Sequence, residues 1–179
     1  MGRLRVPVTR HDHILGPASA PATLVEYGDY QCPACGAAYP VVNMVLRRFG
    51  PKLRYVFRHF PLTQVHPDAE AAAESAEFAG AHGRFWEMHD GIYENQNRLG
   101  LPLLFELARA LGLSELELRN ALASEKYATK VRSDFLGGVR SGVNGTPSFF
   151  INEHQHEGTY AFAELVSAIE LELSATMRL

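Results

Sequence analysis

The segments of this sequence that have the pattern of β-strands lie near its two ends, with a long helical region between them. Residues 23–29 are short and apolar, and residues 53–60 alternate apolar with basic side chains. Residues 36–49, which carry apolar side chains at helical spacing and end at Gly-Pro, separate these two strands. Strand signals return only at residues 148–152. A sheet built from both ends of the chain is therefore predicted, and its first two strands are parallel if the helix between them makes a right-handed crossover.

The long helical region, residues 67–142, has the apolar spacing and boundary signals of several helices. The Ser-Glu-Leu-Glu sequence that starts at Ser114 is a capping box, which places the beginning of one helix there. A βαβ unit cannot cover both faces of its sheet alone, so the late strands and the final helix must complete it. We predict an α/β chain with a mixed central sheet flanked by helices, in which residues 1–62 and 143–179 form one discontinuous domain and residues 63–142 an inserted all-helical domain.

Composition and charge exclude several classes of protein. A chain of 179 residues, 46% of them hydrophobic, can bury a core without disulfides or metals. The net charge of -3 gives no reason to expect nucleic acid or an anionic membrane as a partner. No stretch approaches the roughly 18 apolar residues of a membrane span, and the N-terminus has no apolar run of a secretory signal. As written, the chain is expected in the cytoplasm, or in the periplasm or outside the cell if a signal segment has been removed.

Cys32 and Cys35 are the only cysteines and stand as Cys-Pro-Ala-Cys between the first strand and the first helix. Two thiols at this spacing can hold a metal ion, form a permanent cross-link or carry electrons. If the helix begins near Cys32, its free N–H groups favour a thiolate there, which makes Cys32 the candidate nucleophile. Cys35, one turn further along the same helical face, is then the candidate resolving thiol. Pro33 is tolerated in the first helical turn and limits the freedom of the loop.

Two further positions are candidates to act with the cysteines. Glu26 lies on the first strand six residues before Cys32, where burial would raise the pKa of its carboxyl group and let it accept a proton from Cys35. An outward-facing glutamate or a salt-bridge partner is the simpler alternative. Thr146 and Pro147 precede the late strand, and because only about 5% of X-Pro bonds are cis, the residues alone favour an ordinary trans turn.

A resemblance to a known family rests on motifs that extend from about residue 16 to residue 172. A Cys pair directly after a strand in a βαβ pattern is typical of thioredoxin-like redox motifs. The chain resembles the DsbA-like thiol:disulfide oxidoreductases of the thioredoxin superfamily in four stretches, which are VEYGDYQCPACG, RHFPL, HPDAEAAAESAEFAGAHGRFWEMHDGIYENQ and VNGTPSFFIN.

The resemblance implies a thioredoxin fold with a helical domain inserted after the second strand. It also implies that Cys32 and Cys35 cycle between dithiol and disulfide, with a cis-Pro147 packed against them. The Thr146 backbone would pair with an extended substrate segment as an added strand, and Glu26 matches the family's buried acidic position. The implied partners are protein or peptide thiols and disulfides and an unidentified redox partner. We expect no cofactor, metal ion, nucleic acid or membrane insertion. We expect the chain to be a monomer.

One position departs from the family pattern. Strongly oxidising DsbA proteins have histidine just before the second cysteine, where this chain has Ala34. The histidine stabilises the thiolate, and less stabilisation makes the disulfide less oxidising. We therefore expect a reduction potential more negative than the value of about -120 mV for DsbA.

Three other functions stay open at this stage. Structural zinc needs four ligands, so the Cys pair would require His59 and His66, or His154 and His156, at no recognised spacing. A thioredoxin-like fold can also serve as a peptide-binding or chaperone module with idle cysteines, because fold does not determine function. A glutathione-using relative with the same inserted helices is the third, although dithiol chemistry explains an intact Cys-Pro-Ala-Cys better.

Overall fold

The computed structural model describes residues 2–176, and its centre is one five-stranded mixed sheet. The strands in chain order are β1 (His13–Leu15), β2 (Ala22–Gly28), β3 (Leu53–His59), β4 (Ser148–Ile151) and β5 (His154–Gln155). The long strands β2 and β3 are parallel, and β1, β4 and β5 are antiparallel to their neighbours. The order across the sheet is β1-β3-β2-β4-β5, so both ends of the chain contribute to it.

Seven α-helices of the described chain surround this sheet. They are α1 (Pro33–Phe49), α2 (Ala69–Ala81), α3 (Phe85–Glu94), α4 (Leu101–Ala110), α5 (Glu115–Ala123), α6 (Ala128–Arg140) and α7 (Phe162–Thr176). Helix α1 connects the two parallel strands, and helices α2 to α6 all lie between β3 and β4 in the chain. Within residues 2–176, every helix is too short or too polar to span a lipid bilayer.

Both faces of the sheet are covered, which is why β2 is buried along its whole length. On one face, Leu24 and Phe57 pack with α1, α7 and the insertion helices in the larger part of the core. On the other face, Val25 packs with the N-terminal segment and α6 in a smaller part. Because side chains alternate along a strand, Glu26 lies on the α1 face and Arg58 on the opposite face.

The predicted fold class and the predicted order of helices and strands from residue 23 onward are confirmed. Helix α1 begins at Pro33 with Cys32 as its N-cap, so the helix starts next to Cys32 as the sequence analysis expects. The predicted helix start at Ser114 is confirmed, since Ser114 is the N-cap of α5 and its Oγ accepts the N–H of Glu117 at 3.2 Å, which is one of the two bonds of a capping box. The division into two domains at residues 62 and 142 remains a prediction.

Strand β1 is an element that the sequence patterns do not predict. His13–Leu15 is only three residues long and lies in a segment whose composition indicates a polar lead. It is a strand because it pairs antiparallel with β3, with Ile14 opposite Val56. This pairing brings the N-terminal segment onto the sheet and adds a strand ahead of the first predicted strand at residue 23.

Candidate active site

The Cys-Pro-Ala-Cys segment lies where β2 ends and α1 begins. Asp29, buried just after the strand, shapes the intervening turn, because its Oδ1 accepts the N–H groups of Gln31 at 2.7 Å and Cys32 at 3.1 Å. Its Oδ2 accepts the N–H of Leu62 at 2.8 Å and lies 2.8 Å from His66 Nδ1. The carboxylate therefore ties the loop before α1 to the segment after β3 and places Cys32 at the helix N-terminus.

A residue of the helical insertion holds the same loop from another side. Gln96, which follows α3, donates from Nε2 to the carbonyl oxygens of Tyr30 and Cys32, both at 2.8 Å. A side chain at Gly36 would collide with the Gln96 amide, so the glycine directly after the second cysteine permits this contact. The insertion thus contributes to the position of the cysteine loop.

The two thiols differ in exposure and in acidity. Both are free, and Cys32 is 7% exposed while Cys35 is fully buried. The Cys35 thiol donates a hydrogen bond to the Cys32 sulfur, and this bond, helped by the N–H groups of Cys35 and Ala34, lowers the pKa of Cys32 to about 5 although burial opposes the shift. Burial, the hydrogen bond to Cys32 and the charge of Glu26 raise the pKa of Cys35 well above its usual range. At neutral pH the pair therefore holds one thiolate and one thiol.

The loop before β4 lies against the same sulfur. Thr146 O is 3.4 Å from Cys32 Sγ, and the Thr146–Pro147 peptide bond is cis. The Thr146 hydroxyl is buried and has no hydrogen-bond partner elsewhere among residues 2–176, and it helps to lower the pKa of Cys32. On the helix side, Pro33 is the exposed first residue of α1 and Ala34 is partly buried.

Glu26 is buried on the α1 face of β2 and is electrostatically coupled to both cysteines. It is 3% exposed, and the Tyr55 hydroxyl on the neighbouring strand donates to its Oε2 at 2.6 Å. Burial raises the pKa of Glu26 to about 7, with the Tyr55 hydrogen bond opposing this shift and the charge of Cys32 adding to it. No lysine or arginine of the described chain pairs with this carboxyl group, so it titrates near neutral pH.

The structure therefore brings most of the predicted site residues together around one sulfur. Asp29 and Gln96 also build the site, and the sequence analysis does not select them. An aspartate just before a helix start is a recognisable turn signal. Nothing in the sequence links Gln96 to a loop 64 residues away. Cys35, Ala34 and Thr146 interact directly with the Cys32 sulfur. Pro33 follows Cys32 in the chain and Pro147 follows Thr146. Glu26 acts on Cys32 through its charge.

The histidines considered as zinc ligands beside the cysteines have other partners. His59 bonds Glu77, and His66 bonds Asp29. Within the described residues, three potential metal ligands come together only at His13, His59 and Glu77. This group contains neither cysteine. Zinc binding by the Cys pair has no support in this geometry.

Comparison with known proteins decides the family. A family model described as Thioredoxin matches residues 8–171. The chain belongs to the thioredoxin family. Among solved structures, this thioredoxin-family chain is similar to oxidised BdbD from Bacillus subtilis, at 23% identity and a TM-score of 0.83 over 91% of this chain and 93% of that one. It is also similar to α-DsbA1 from Wolbachia pipientis, at 20% identity and a TM-score of 0.84 over 97% and 96% of the two chains. The predicted DsbA-like fold is confirmed.

The curated relatives are much longer proteins, and their names describe them as antiporters. The Na(+)/H(+) antiporter NhaA 1 of Salinispora arenicola is 44% identical over 174 residues, which are 97% of this chain and 26% of that protein. The Na(+)/H(+) antiporter NhaA 3 of Salinispora tropica is 43% identical over 177 residues, or 98% of this chain and 27% of that protein. This thioredoxin-family chain spans about a quarter of the length of the curated relatives it matches.

Proposed function

We propose that this chain is an enzyme that exchanges dithiol and disulfide with protein or peptide substrates. The observation that carries the proposal is the difference between two adjacent thiols, because the pKa of Cys32 is lowered to about 5 while that of Cys35 is raised. A sulfur that is ionised at neutral pH is both a nucleophile and a good leaving group, and a protonated neighbour does not compete with it. Cys32 is thus the sulfur that meets the substrate, and Cys35 is the resolving thiol.

In the oxidising direction, a substrate thiolate attacks Cys32 Sγ of the disulfide form. The Cys32–Cys35 bond breaks, and Cys35 leaves as a thiolate that takes up a proton. A second substrate thiolate attacks the substrate sulfur of the mixed disulfide, and Cys32 leaves as a thiolate. The substrate loses two electrons as its disulfide forms, and the Cys pair gains them. The reducing direction is the reverse, beginning with attack of the Cys32 thiolate on a substrate disulfide.

Glu26 is the proposed proton carrier for Cys35. The Cys35 thiol must gain a proton when it leaves and lose one when it attacks, yet it is fully buried. A carboxyl group with a pKa of about 7 can donate or accept that proton near neutral pH. The coupling between the charge of Glu26 and the pKa of Cys35 supports this assignment.

Thr146 and Pro147 are the proposed substrate-binding residues. Their loop contacts Cys32 Sγ, so a segment that reaches this sulfur must pass along it. The Thr146 backbone would pair with an extended substrate as an added strand, which gives affinity through main-chain hydrogen bonds without sequence specificity.

The proposed reduction potential lies between those of thioredoxin and DsbA. The nucleophilic cysteines of these two proteins have pKa values of about 7 and about 3.5, and their potentials are about -270 and -120 mV. A pKa of about 5 for Cys32 falls between them. The side chain of Ala34 has no polar group to stabilise the thiolate, which agrees with a potential below that of DsbA.

Equilibration with glutathione and a pH titration of thiolate absorbance test the proposal together. We expect a thiolate midpoint near pH 5, where the pKa of Cys32 lies, and a potential between about -120 and -270 mV. Cys32→Ser should abolish exchange, and Cys35→Ser should accumulate mixed disulfides. A midpoint near the value of about 8.5 for an ordinary cysteine, with no reversible disulfide, would refute the enzyme and leave the peptide-binding module.

A second candidate role, exchange with a membrane transporter, rests on the antiporter names of the relatives. We propose that one substrate is a cysteine-bearing antiporter segment, either in the same polypeptide or in a separate chain. Trapping mixed disulfides on Cys35→Ser in membranes and sequencing the captured peptides tests this. Capture of antiporter peptides supports the role, and capture of other proteins alone contradicts it.

A further inference from the structure

Away from the cysteines, three ionisable side chains from three separate elements converge. They are His13 of β1, His59 of β3 and Glu77 of α2. Nε2 of His13 lies 2.8 Å from Glu77 Oε1, and Nε2 of His59 lies 2.7 Å from the same oxygen. The potential ligand atoms of all three lie within 4.8 Å of one another, and no other trio of such residues between positions 2 and 176 does so.

The carboxylate at the centre of this cluster is buried, and its hydrogen-bond partners are the two imidazoles. Glu77 is 7% exposed, and no lysine or arginine of the described chain forms an ion pair with it. A buried carboxylate is unfavourable unless a positive charge compensates it, and a bound cation at this position would supply that charge.

We propose that His13, His59 and Glu77 form a binding site for a divalent cation of the zinc class. Two imidazole nitrogens and one carboxylate oxygen are a donor set that suits Zn²⁺ and neighbouring first-row ions, whereas Ca²⁺ and Mg²⁺ prefer oxygen ligands. The cation compensates the charge of Glu77, and a water molecule is the fourth ligand. The site is separate from the Cys pair, and it does not depend on the proposed thiol exchange.

Packing holds both imidazole rings in place. His13 lies flat on Phe85, with ring centroids 3.5 Å apart and planes 3° apart. His59 packs edge-on against Phe57, at 5.6 Å between centroids and 82° between planes. Because side chains that are already fixed lose little conformational freedom on binding, the ligands are largely preorganised.

Two small changes convert the hydrogen-bonded cluster into a coordination site. Each imidazole must carry its proton on Nδ1. At His59 this places a buried N–H that has no acceptor in the described chain, so the bonds to the ion must offset the cost of that unpaired donor. The nitrogens must also move from 2.7 and 2.8 Å to about 3.3 Å from the oxygen, as ligand bonds of about 2.0–2.1 Å at tetrahedral angles require. The side chain of His13 is 17% exposed, which gives an ion access from solvent.

A bound ion would join parts of the chain that are far apart in sequence. These parts are the N-terminal edge strand, a central strand and the first helix of the insertion. Only the folded chain assembles the three ligands, so the ion stabilises the fold by mass action.

The test uses the full chain without a histidine tag and with both cysteines changed to serine, so that thiols cannot act as ligands. Zn²⁺ is titrated by calorimetry, and Co²⁺ is titrated by its visible absorption. We expect one ion per chain, a tetrahedral Co²⁺ spectrum, a higher Tm with Zn²⁺, and NMR shifts of the His13 and His59 rings. No stoichiometric binding, or binding without shifts at these rings, would overturn the proposal without requiring any variant in the cluster.

Substitutions then identify the ligands. Glu77→Gln and His13→Ala should each weaken Zn²⁺ binding by at least about 10-fold. Substitution of a residue that only hydrogen-bonds a metal ligand already lowers metal affinity by about this factor. His154→Ala removes an exposed histidine that lies near Glu172 and outside the cluster, and it should leave affinity unchanged. Circular dichroism and the Tm of the metal-free variants confirm folding. Equal affinity in Glu77→Gln and its parent, or tighter binding of Ca²⁺ than of Zn²⁺, would contradict the site.

Discussion

Two buried charges on neighbouring strands have opposite surroundings. Arg58 on β3 is 2% exposed and Glu26 on β2 is 3% exposed. In the register of the parallel pair, Arg58 lies beside Tyr27, and Glu26 lies beside Phe57. The two charges are therefore close in the sheet but lie on its opposite faces, each in a separate part of the core.

Arg58 is fully partnered. Its Nε and Nη2 donate to the two carboxylate oxygens of Asp12 at 2.8 and 3.0 Å. Its remaining N–H groups donate to Tyr27 Oη at 2.9 Å and to the carbonyl oxygens of Val6 at 2.9 Å and Pro7 at 3.0 Å. All five guanidinium N–H groups thus have acceptors, and the N-terminal segment is tied to the sheet.

The different surroundings move the pKa values in different directions. Burial acts to raise the pKa of Asp12, but the hydrogen bonds and charge of Arg58 lower it, so the pair stays charged. At Glu26 burial dominates and raises the pKa to about 7. A paired buried charge holds structure but cannot exchange protons at neutral pH, whereas an unpaired buried carboxyl group can. The unpaired group is the one coupled to the cysteines, as expected for functional sites.

Breaking the paired charge should have the largest effect on stability. Arg58→Met leaves Asp12 buried without its partner, and we expect the free energy of unfolding to fall by about 3–5 kcal/mol. Urea unfolding measures this loss. The alkylation midpoint of Cys32 should stay unchanged, because Arg58 lies on the face of the sheet away from the cysteines.

The control for this variant is Arg48→Met. Arg48 pairs with Glu170, and the two side chains are 57% and 51% exposed. Removal of an exposed pair should change the free energy of unfolding by less than about 1 kcal/mol. If Arg58→Met costs no more than Arg48→Met, the buried pair is not the structural anchor described above.

Removing the unpaired charge should have the opposite effect on stability. The pKa of Glu26 in the folded chain, about 7, exceeds its ordinary value of 4.5, so ionisation penalises the folded state. This loss of folding free energy is absent below pH 4.5, grows as the pH rises from 4.5 to about 7, and is complete above about pH 7. Glu26→Gln should therefore raise the free energy of unfolding at about pH 8 by up to about 3 kcal/mol, and leave it nearly unchanged at about pH 4.

The same variant should slow the resolving step, and a matched glutamate separates the two effects. Without Glu26, release of mixed disulfides by Cys35 should slow by at least about 10-fold near neutral pH. Glu74 is also buried, and burial likewise raises its pKa to about 7, but it lies on α2. Glu74→Gln should stabilise the fold without slowing resolution. Equal slowing by both variants would remove the special role of Glu26.

The sequence identifies the unpaired charge more readily than the paired one. Glu26 could be selected because it precedes Cys32 on a strand whose apolar character already indicated burial. Arg58 could not, because alternating apolar and basic side chains in β3 are typical of a strand with one solvated face. In the structure that face is covered by the N-terminal segment and α6. This covering includes β1, a three-residue strand whose pairing with β3 joins residues distant in the sequence.

More generally, local patterns determine the order of elements, whereas the contacts that complete the sites join distant residues. The periodicities of residues 36–49 and 53–60 are properties of short segments, and both predicted elements are confirmed. The contact of Gln96 with the cysteine loop and the convergence of His13 and His59 on Glu77 depend on how the insertion packs against the sheet. No local spacing encodes that packing.

The smallest predicted effect concerns the single hydrogen bond that Glu26 receives. The Tyr55 hydroxyl donates to Glu26 Oε2 and opposes the rise in its pKa, so Tyr55→Phe should raise that pKa above about 7 by up to about one unit. The pH dependence of mixed-disulfide resolution and the carboxyl ¹³C shift of Glu26 both measure it. Tyr27 lies on β2, next to Glu26 in the chain but on the opposite face of the sheet. Tyr27→Phe removes a hydroxyl that bonds Arg58, and it should leave the pKa of Glu26 unchanged. Because the two substitutions are chemically identical and differ only in the face of the sheet, an equal shift in both variants would mean that the two buried charges are not independent.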